Sequence, residues 1–250
     1  MNIISCSIWL AGLLLLPVCY TTTTTTTVSS KITLHNHCLS TVWPRIVGQK
    51  INDSYELAIG QKIDLTIPMG WSGQIWARTG CLDKTGSKCL TGTPDTRSAT
   101  QAVFNFSGSR GQLDKYSVSI VDGYNLPISI NAIANTWMTV NGSRCSWNGC
   151  TTDLNTYCPQ ELALLSGTDI IGCQSPCRKF NTDDYCCRPP FVQKGICDAS
   201  KFKKNYPALF HGHCPNMYTL DPIYEGTGSL YSCGGNPQTS FDLFFCPGPY

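Results

Sequence analysis

The cysteines constrain this 250-residue chain more than any other feature. The chain has 16 cysteines, and all but Cys6 and Cys19 fall between Cys38 and Cys246. An even number that large indicates a disulfide framework formed in an oxidising compartment. Because Cys6 and Cys19 lie in an apolar N-terminal stretch, removing that stretch would leave an even set of cysteines and no unpaired thiol.

The N-terminal stretch has the composition of a secretory signal peptide. No charged residue occurs from Ile3 to Val18, and the apolar segment has the length of a signal core rather than of a membrane span. We place the signal peptide over residues 1–20 and a disordered Thr-rich leader over 21–30, because a threonine tract has little apolar surface to bury. The mature protein is therefore predicted to be secreted and extracellular, without a stable membrane anchor.

The distribution of charged residues and of possible metal ligands argues against a nucleic-acid partner and a bound metal. The 18 basic and 16 acidic residues give a net charge of +2 without a basic block, so we expect no nucleic-acid partner. Two His-x-His pairs, His35 with His37 and His211 with His213, each lack a third ligand at a suitable spacing. We expect a monomer that needs no metal and no cofactor.

The first half of the mature chain reads as strands. Apolar and polar residues alternate over Lys31–His35, Ile63–Ile67 and Tyr116–Val121, which is typical of half-buried strands. Turn sequences such as Asp122-Gly123 separate these runs. This pattern predicts an antiparallel, sandwich-like arrangement.

The second half is richer in cysteine, since 11 of the cysteines lie at or after Cys145. Adjacent Cys186 and Cys187 must each reach a different partner. Two helices are expected in this region: Pro159–Leu165, and Asp198–His211 with a shared face. The residues of that face are Phe202, Tyr206, Leu209 and Phe210.

Several motifs resemble those of thaumatin-like proteins. The motifs are Cys38–Pro44 (CLSTVWP), Ile75–Cys81 (IWARTGC), Val121–Pro127 (VDGYNLP), Tyr185–Cys187 and Phe245–Pro247. The resemblance implies a mainly β fold in one domain over residues 31–250. Its antiparallel β-sandwich core would take about 31–145 and C-terminal strands 233–250, and a disulfide-rich region with loops and a helix would take about 146–232.

The resemblance also implies a disulfide pairing. The implied pairs are Cys38–Cys246, Cys81–Cys89, Cys145–Cys233, Cys150–Cys214, Cys158–Cys173, Cys177–Cys186 and Cys187–Cys197. The family usually has one more bridge, whose place is taken here by a shortened stretch over residues 91–97 without cysteine. In the chain-entropy model, the absence of a small bridged loop of that kind costs about 3 kcal/mol.

Many antifungal thaumatin-like proteins carry an acidic cleft built from an arginine, a glutamate and three aspartates, to which weak β-1,3-glucanase activity is attributed. By resemblance, the arginine position is Gln74, the glutamate position is Val103 and the first aspartate position is Ser117. Only Asp122 and Asp221 keep a carboxylate. Each could instead serve a turn, with the Asp122 carboxylate capping a backbone amide.

Glycoside hydrolysis by the usual route needs two carboxyl groups flanking the bond. The resemblance implies a secreted defence protein that binds fungal-wall β-1,3-glucan or another pathogen surface component, and the eroded cleft favours binding without cleavage. A weak endo-β-1,3-glucanase using Asp122 with Asp221 is one alternative, and an inhibitor of a hydrolase is another.

Two further sets of residues are candidates for carbohydrate chemistry. Exposed aromatic rings would be available to stack on sugars, and three Asn-x-Ser patterns fit N-glycosylation acceptors. The aromatic candidates are Trp71, Trp76, Tyr124 and Tyr218, and the acceptor candidates are Asn52, Asn105 and Asn141.

Overall fold

A computed structural model gives the architecture of the chain. It describes all residues except 1, 12–13, 24–28, 96–97, 110, 190–191, 194–195, 222–225, 236–238 and 249–250. Residues 24–28 of the predicted leader, residues 1 and 12–13 of the predicted signal peptide, and residues 96–97 of the shortened stretch lie outside the described residues.

The described elements are mostly short strands. The strands are β1 (Asn2–Ala11), β2 (Leu14–Thr23), β3 (Ser30–Asn36), β4 (Trp43–Gly48), β5 (Ile51–Ser54), β6 (Lys62–Ile67), β7 (Ser72–Arg78), β8 (Gln101–Asn105), β9 (Leu113–Ser119), β10 (Ile128–Ala132), β11 (Trp137–Met138), β12 (Asn148–Gly149), β13 (Ala163–Ser166), β14 (Asp169–Cys173), β15 (Val192–Gln193), β16 (Ile196–Cys197), β17 (Met217–Tyr218), β18 (Tyr231–Gly235) and β19 (Phe241–Phe245). The α-helices are α1 (Pro176–Phe180) and α2 (Tyr206–His213), and three 3-10 helices cover Leu154–Tyr157, Gln160–Leu162 and Ala199–Lys201.

Two larger sheets form the sandwich. One has five strands in the order β12-β10-β19-β3-β6, and the other has eight, with β11-β18-β9-β8-β7-β4-β5 in a row and β17 beside β9. The mainly β sandwich expected from the alternating segments is confirmed. Most pairs are antiparallel, but β19 pairs with β3, and β17 with β9, in parallel.

The core lies between these two sheets. Phe241 of β19 is fully buried, and its ring centroid lies 5.4 Å from that of Phe104 on β8 and 5.0 Å from that of Tyr116 on β9. Along β8, buried Ala102 and Phe104 alternate with residues that face away from the core. This alternation leaves the other face of the eight-stranded sheet available to carry polar side chains.

One tryptophan occupies a slot made by two glycines. Gly48 of β4 and Gly73 of β7 are direct register partners, and a Cβ on either one would overlap the indole of Trp71. The side chain of Trp71 is 1% exposed. This aromatic ring is therefore part of the core, next to Phe106.

From Cys38 onward, every cysteine of the described residues belongs to one of seven disulfides. They join the same pairs that the resemblance implies: Cys38–Cys246, Cys81–Cys89, Cys145–Cys233, Cys150–Cys214, Cys158–Cys173, Cys177–Cys186 and Cys187–Cys197. Four of these bridges lie wholly within residues 146–232. We call residues 146–232 the stapled region.

The expected helix over Pro159–Leu165 is wrong for most of its length. Only a 3-10 turn forms at Gln160–Leu162, with Pro159 at its N-terminal cap, and the next residues form β13. This strand pairs with β14 around a turn at Gly167, which has a φ of 63°. The hairpin pairing, together with the Cys158–Cys173 bridge, overrides the helical preference of the leucines.

The expected helix over Asp198–His211 is divided in two. Asp198 caps a 3-10 turn, and Asn205 then caps α2 with its side chain accepting from the amide of Ala208. Pro207 lacks an amide hydrogen and is tolerated only in the first turn of a helix, so it forces a new start. Of the residues expected to share a face, Tyr206 and Phe210 are buried, but Leu209 is exposed.

The expected boundaries also shift. Ser30, assigned to the leader, is buried at the start of β3, and Thr21–Thr23 belong to β2, which pairs only with β1 among the described strands. Strands β12 and β17 of the stapled region join the sandwich sheets. Within the described part of the chain, no helix is long and apolar enough to span a membrane.

Candidate functional site

Cross-strand register brings the positions of the eroded cleft together. Gln74 of β7 pairs with Val103 of β8, and Val103 pairs with Ser117 of β9. These three residues alternate with core residues, so they lie side by side on the face of the eight-stranded sheet that points away from the sandwich. Gln74 is exposed, whereas Ser117 is buried.

A second row runs parallel to the first, two residues along each strand. Arg45 of β4 pairs with Trp76 of β7, and Trp76 pairs with Gln101 of β8. Neighbouring strands lie roughly 5 Å apart, so Arg45 and Gln101 lie about 10 Å apart along this row. Beyond Gln101, its side-chain amide nitrogen donates a 3.1 Å hydrogen bond to the Asp122 carboxylate.

This second row forms the floor of a cavity of about 320 Å³, which we call the sheet groove. The groove is lined by Arg45, Gln74, Trp76, Gln101 and Asp122, with Arg78 and the loop Gly92–Pro94 at one side. Its volume lies at the lower end of the range of about 300 to 1,000 Å³ typical of small-ligand sites. Amide, aromatic and charged side chains therefore converge in one concave place.

Hydrogen bonds hold the loop wall of the groove in the stretch where the family usually has a further bridge. The indole nitrogen of Trp76 donates to the Gly92 carbonyl at 2.8 Å, and the buried Asn125 amide donates to the Thr91 hydroxyl at 2.9 Å. The Thr79 and Thr91 hydroxyls also lie 2.7 Å apart. These bonds connect the groove wall to the sheet without a covalent bridge.

A second cavity, of about 290 Å³, lies between the sheet and the stapled region, and we call it the loop cleft. It is lined by Asp122 and Asp221 together with Ser175, Arg178 and Tyr185. The structure therefore brings the two remaining carboxylates of the eroded cleft into one cavity. Asp122 borders both cavities, whereas Asp221 borders only the loop cleft.

The turn at Asp122 is built by the backbone rather than by the carboxylate. Gly123 has a φ of 111°, and its amide donates to the Ile120 carbonyl at 2.8 Å. The Asp122 carboxylate accepts from Gln101 instead of from a backbone amide. The turn interpretation is thus correct for the backbone and wrong for the side chain, which is directed to the site.

Three of the four candidate stacking aromatics are unavailable. Trp71, Tyr124 and Tyr218 are each 1% exposed, and burial raises the pKa of the Tyr124 hydroxyl well above its usual range. Trp76 is the exception, because its half-buried ring lies in the sheet groove.

The remaining candidates lie elsewhere on the molecule. Asn52, Asn105 and Asn141 are all exposed, as N-glycosylation requires. His35 contacts the Asp242 carboxylate at 2.8 Å, and the ring of His213 stacks 3.7 Å from that of Tyr157.

Two arginines in the sheet groove were missed by the sequence reasoning. Arg45 is half-buried and Arg78 is 8% exposed. Burial, followed by the positive charge of Arg45, lowers the pKa of Arg78, while Asp83 acts in the opposite sense. The alternation of buried Pro44 and Ile46 with Trp43, Arg45 and Val47 was the signal that could have placed Arg45 on an outward face.

Comparison with known proteins agrees with this architecture and these motifs. The family model described as "Thaumatin family" matches residues 36–247, which is most of the chain. The chain therefore belongs to the thaumatin family.

The chain is similar to relatives that carry different names. The chain is 33% identical over 242 residues to pathogenesis-related protein 5 of Arabidopsis thaliana, covering 91% of this chain and 95% of the relative. It is also 33% identical over 239 residues to a Prunus avium protein named glucan endo-1,3-beta-glucosidase, covering 88% and 91%. The solved structure of a thaumatin-like xylanase inhibitor aligns with 86% of this chain and 99% of its own at 18% identity, with a TM-score of 0.43.

Proposed function

We propose that this protein is a secreted defence protein that binds a glycan of a pathogen surface, such as fungal-wall β-1,3-glucan, in the sheet groove and does not cleave it. The observation that carries the proposal is the convergence of Trp76, Gln101, Gln74 and Asp122 in one groove that holds a single carboxylate.

The groove offers the groups that a sugar needs. The half-buried Trp76 ring provides an apolar surface for the apolar face of a pyranose ring. The side-chain amides of Gln74 and Gln101 can both donate to and accept from hydroxyls. The Trp76 ring is fixed by its bond to Gly92, so little side-chain entropy is lost on binding.

The same groove lacks the groups that hydrolysis needs. By the usual route of hydrolysis, two carboxyl groups about 5 to 9.5 Å apart flank the glycosidic bond, and Asp122 is the only carboxylate among the residues that line the groove. Asp221, the possible second carboxylate, lines the loop cleft and not the sheet groove that holds Trp76 and Gln101. Binding and hydrolysis would therefore occupy different cavities.

A retention assay on insoluble β-1,3-glucan tests the proposal. The secreted, oxidised protein is compared with Trp76→Leu, which removes the ring, and with Asp221→Asn, which changes only the loop cleft. We expect retention of the wild type and of Asp221→Asn, and at least a tenfold loss of affinity for Trp76→Leu, equivalent to about 1.4 kcal/mol.

Thermal unfolding of the three proteins confirms that each is folded. Equal retention of Trp76→Leu and wild type contradicts the groove as the binding site. Loss of retention in Asp221→Asn alone would instead assign binding to the loop cleft.

Secretion is part of this proposal. The apolar segment before Val18 supports it, and so do seven disulfides, which persist in oxidising compartments. N-terminal sequencing of the protein from culture medium tests it. We expect a mature N-terminus close to residue 21, and a protein found only inside cells with residues 1–20 intact contradicts it.

A further inference from the structure

The sheet groove has an unusual balance of charge for a neutral sugar. Two arginines and one aspartate line it, so its formal charge is positive. Arg45 stands at one end of the row, and Asp122 stands beyond Gln101 at the other. The groove is therefore polarised, with its positive end on β4 and β7.

The guanidinium of Arg45 has N–H donors that its contacts within the protein do not use. One terminal nitrogen of its guanidinium donates to the Asp53 carbonyl at 3.2 Å, and the other donates to the Asn52 side-chain oxygen. A guanidinium has five N–H donors, so most of them remain available. Among the described residues, no carboxylate lies within 4.0 Å of Arg45.

Arg78 adds a second positive charge that the protein does not neutralise by a direct ion pair. Its guanidinium donates to the Trp43 carbonyl, the Gly86 carbonyl and the Ser54 hydroxyl, all neutral groups. Because the side chain is 8% exposed, this charge is poorly screened by water. Burial and then the charge of Arg45 lower the pKa of Arg78, while Asp83 raises it, so the two arginines repel one another and Asp83 offsets part of that repulsion.

A ligand that carries a negative charge would relieve this repulsion. The planar guanidinium fork of Arg45 fits the two oxygens of a carboxylate. Trp76 is the cross-strand partner of Arg45, on the adjacent strand roughly 5 Å away. A sugar ring placed on Trp76 would therefore hold a carboxylate attached to that ring within reach of Arg45, with Gln101 on its other side.

We infer that the sheet groove prefers an acidic glycan, with a uronic-acid carboxylate on Arg45 and the sugar ring on Trp76. This inference rests on the proposed glycan-binding function and specifies its ligand class. One negative charge per sugar matches a groove whose arginines exceed its aspartate by one. Arg45 sets the specificity for charge, and Arg78 strengthens the local positive potential without touching the ligand.

The test compares one polymer in two charge states. Binding to polygalacturonate is measured against its methyl ester, which has the same backbone without the charges, and alginate serves as a uronate polymer of different ring stereochemistry. Insoluble β-1,3-glucan is the neutral reference. The protein is enzymatically deglycosylated, because Asn52 is a candidate glycan acceptor that contacts Arg45.

Two variants isolate Arg45 from net charge. Arg45→Gln removes the groove cation, and Lys62→Gln removes an exposed cation on β6 of the other sheet, so both change the protein charge equally. We expect wild type to bind the acid at least about tenfold more tightly than the ester, and Arg45→Gln to lose that preference. Lys62→Gln should stay within about twofold of wild type, since exposed charges far from the site are screened.

The outcomes separate this inference from the function on which it rests. Equal affinity for acid and ester, or an unchanged preference in Arg45→Gln, overturns the inference, while retention on neutral glucan that depends on Trp76 still supports glycan binding. A preference for polygalacturonate over alginate identifies galacturonate as the ligand, and equal binding supports uronates in general. If the folded wild type binds none of these glycans, both the inference and the proposed glycan-binding function are overturned.

Discussion

The sandwich and the stapled region are held together by different means. The sandwich has a continuous core of buried apolar side chains between two sheets, and the bridge Cys38–Cys246 joins the ends of two adjacent strands within it. The stapled region contains a second, small cluster formed by Phe202 and the Cys187–Cys197 disulfide. Other buried apolar residues of this region, such as Phe210, belong to the same cluster as the sandwich core.

This difference indicates which region depends on core packing for its stability and which depends on disulfides. Regions with their own core need packing to stay folded, whereas a region with few buried side chains needs covalent constraints on the unfolded chain. The sheet groove lies on the sandwich, because its floor consists of strands β4, β7 and β8. The loop cleft is bounded on one side by the stapled region.

Truncation of a core ring should have the largest effect. Phe241→Ala removes a fully buried side chain that contacts both sheets, and we expect the free energy of unfolding to fall by about 3 to 5 kcal/mol. Phe244→Ala, on the outward face of the same strand, is the matched control and should cost much less. Chemical denaturation measures both, and equal losses contradict a core confined between the sheets.

Removal of one staple should have a smaller, local effect. The Cys158→Ser, Cys173→Ser double variant opens a loop with a sequence separation of 15, which costs about 3 kcal/mol in the chain-entropy model. Because this loop has little core of its own, we expect hydrogen exchange to accelerate in β13, β14 and α2 before it does in β8 and β9. Equal acceleration of hydrogen exchange in the sandwich and in the stapled region would contradict the view that the two regions are stabilised by different means.

Disruption of the polar network behind the groove wall should cause the third-largest loss of stability. The Asn125 amide donates to the Ala77 carbonyl at 2.8 Å and to Thr91, and its oxygen accepts from the Thr100 and Leu126 amides. Asn125→Ala leaves buried partners unsatisfied, with an expected cost of about 1 to 3 kcal/mol. Thr91→Val removes fewer of these bonds and should cost less in the same denaturation assay. The opposite order contradicts the central role of Asn125.

An acid-sensitive contact within the stapled region should have the smallest effect. Hydrogen bonds from Lys204, from the backbone amide of Glu161 and from Tyr206 lower the pKa of Glu161 from 4.5 to about 2. A carboxylate with a lowered folded pKa stabilises the protein above its unfolded pKa, and this stabilisation is lost as the pH falls from 4.5 towards 2. Exposed ion pairs contribute little, so the loss should be small.

Glu161→Gln removes that titration. The difference in stability between wild type and Glu161→Gln should be constant above pH 5 and shrink between about pH 4.5 and 2. Urea denaturation across this range measures it. A difference that grows as the pH falls would contradict the contact.

The family and the sandwich could be predicted from the sequence because both rest on local signals. Alternation over Lys31–His35 and Ile63–Ile67 matches β3 and β6, and the motifs near Cys38 and Cys81 lie in contiguous segments. The helices of the stapled region were harder, since the β13–β14 pairing and Pro207 override the local apolar pattern.

The sheet groove could not be predicted in the same way. Arg45, Trp76 and Gln101 are far apart in sequence and meet only through the register of three strands. Trp71 and Trp76 look alike in sequence, but the Gly48–Gly73 pair opens a buried slot for the first only. Which aromatic ring is available to a ligand is therefore decided by packing rather than by composition.

The most direct measurement is a single reaction that follows binding and cleavage together. End-reduced, insoluble β-1,3-glucan is incubated with the oxidised protein, and both retained protein and new reducing ends are measured beside an Asp122→Asn variant. We predict that wild type is retained and that reducing ends stay at the level of a protein-free blank. New reducing ends that vanish in folded Asp122→Asn would contradict a groove that binds without cleaving.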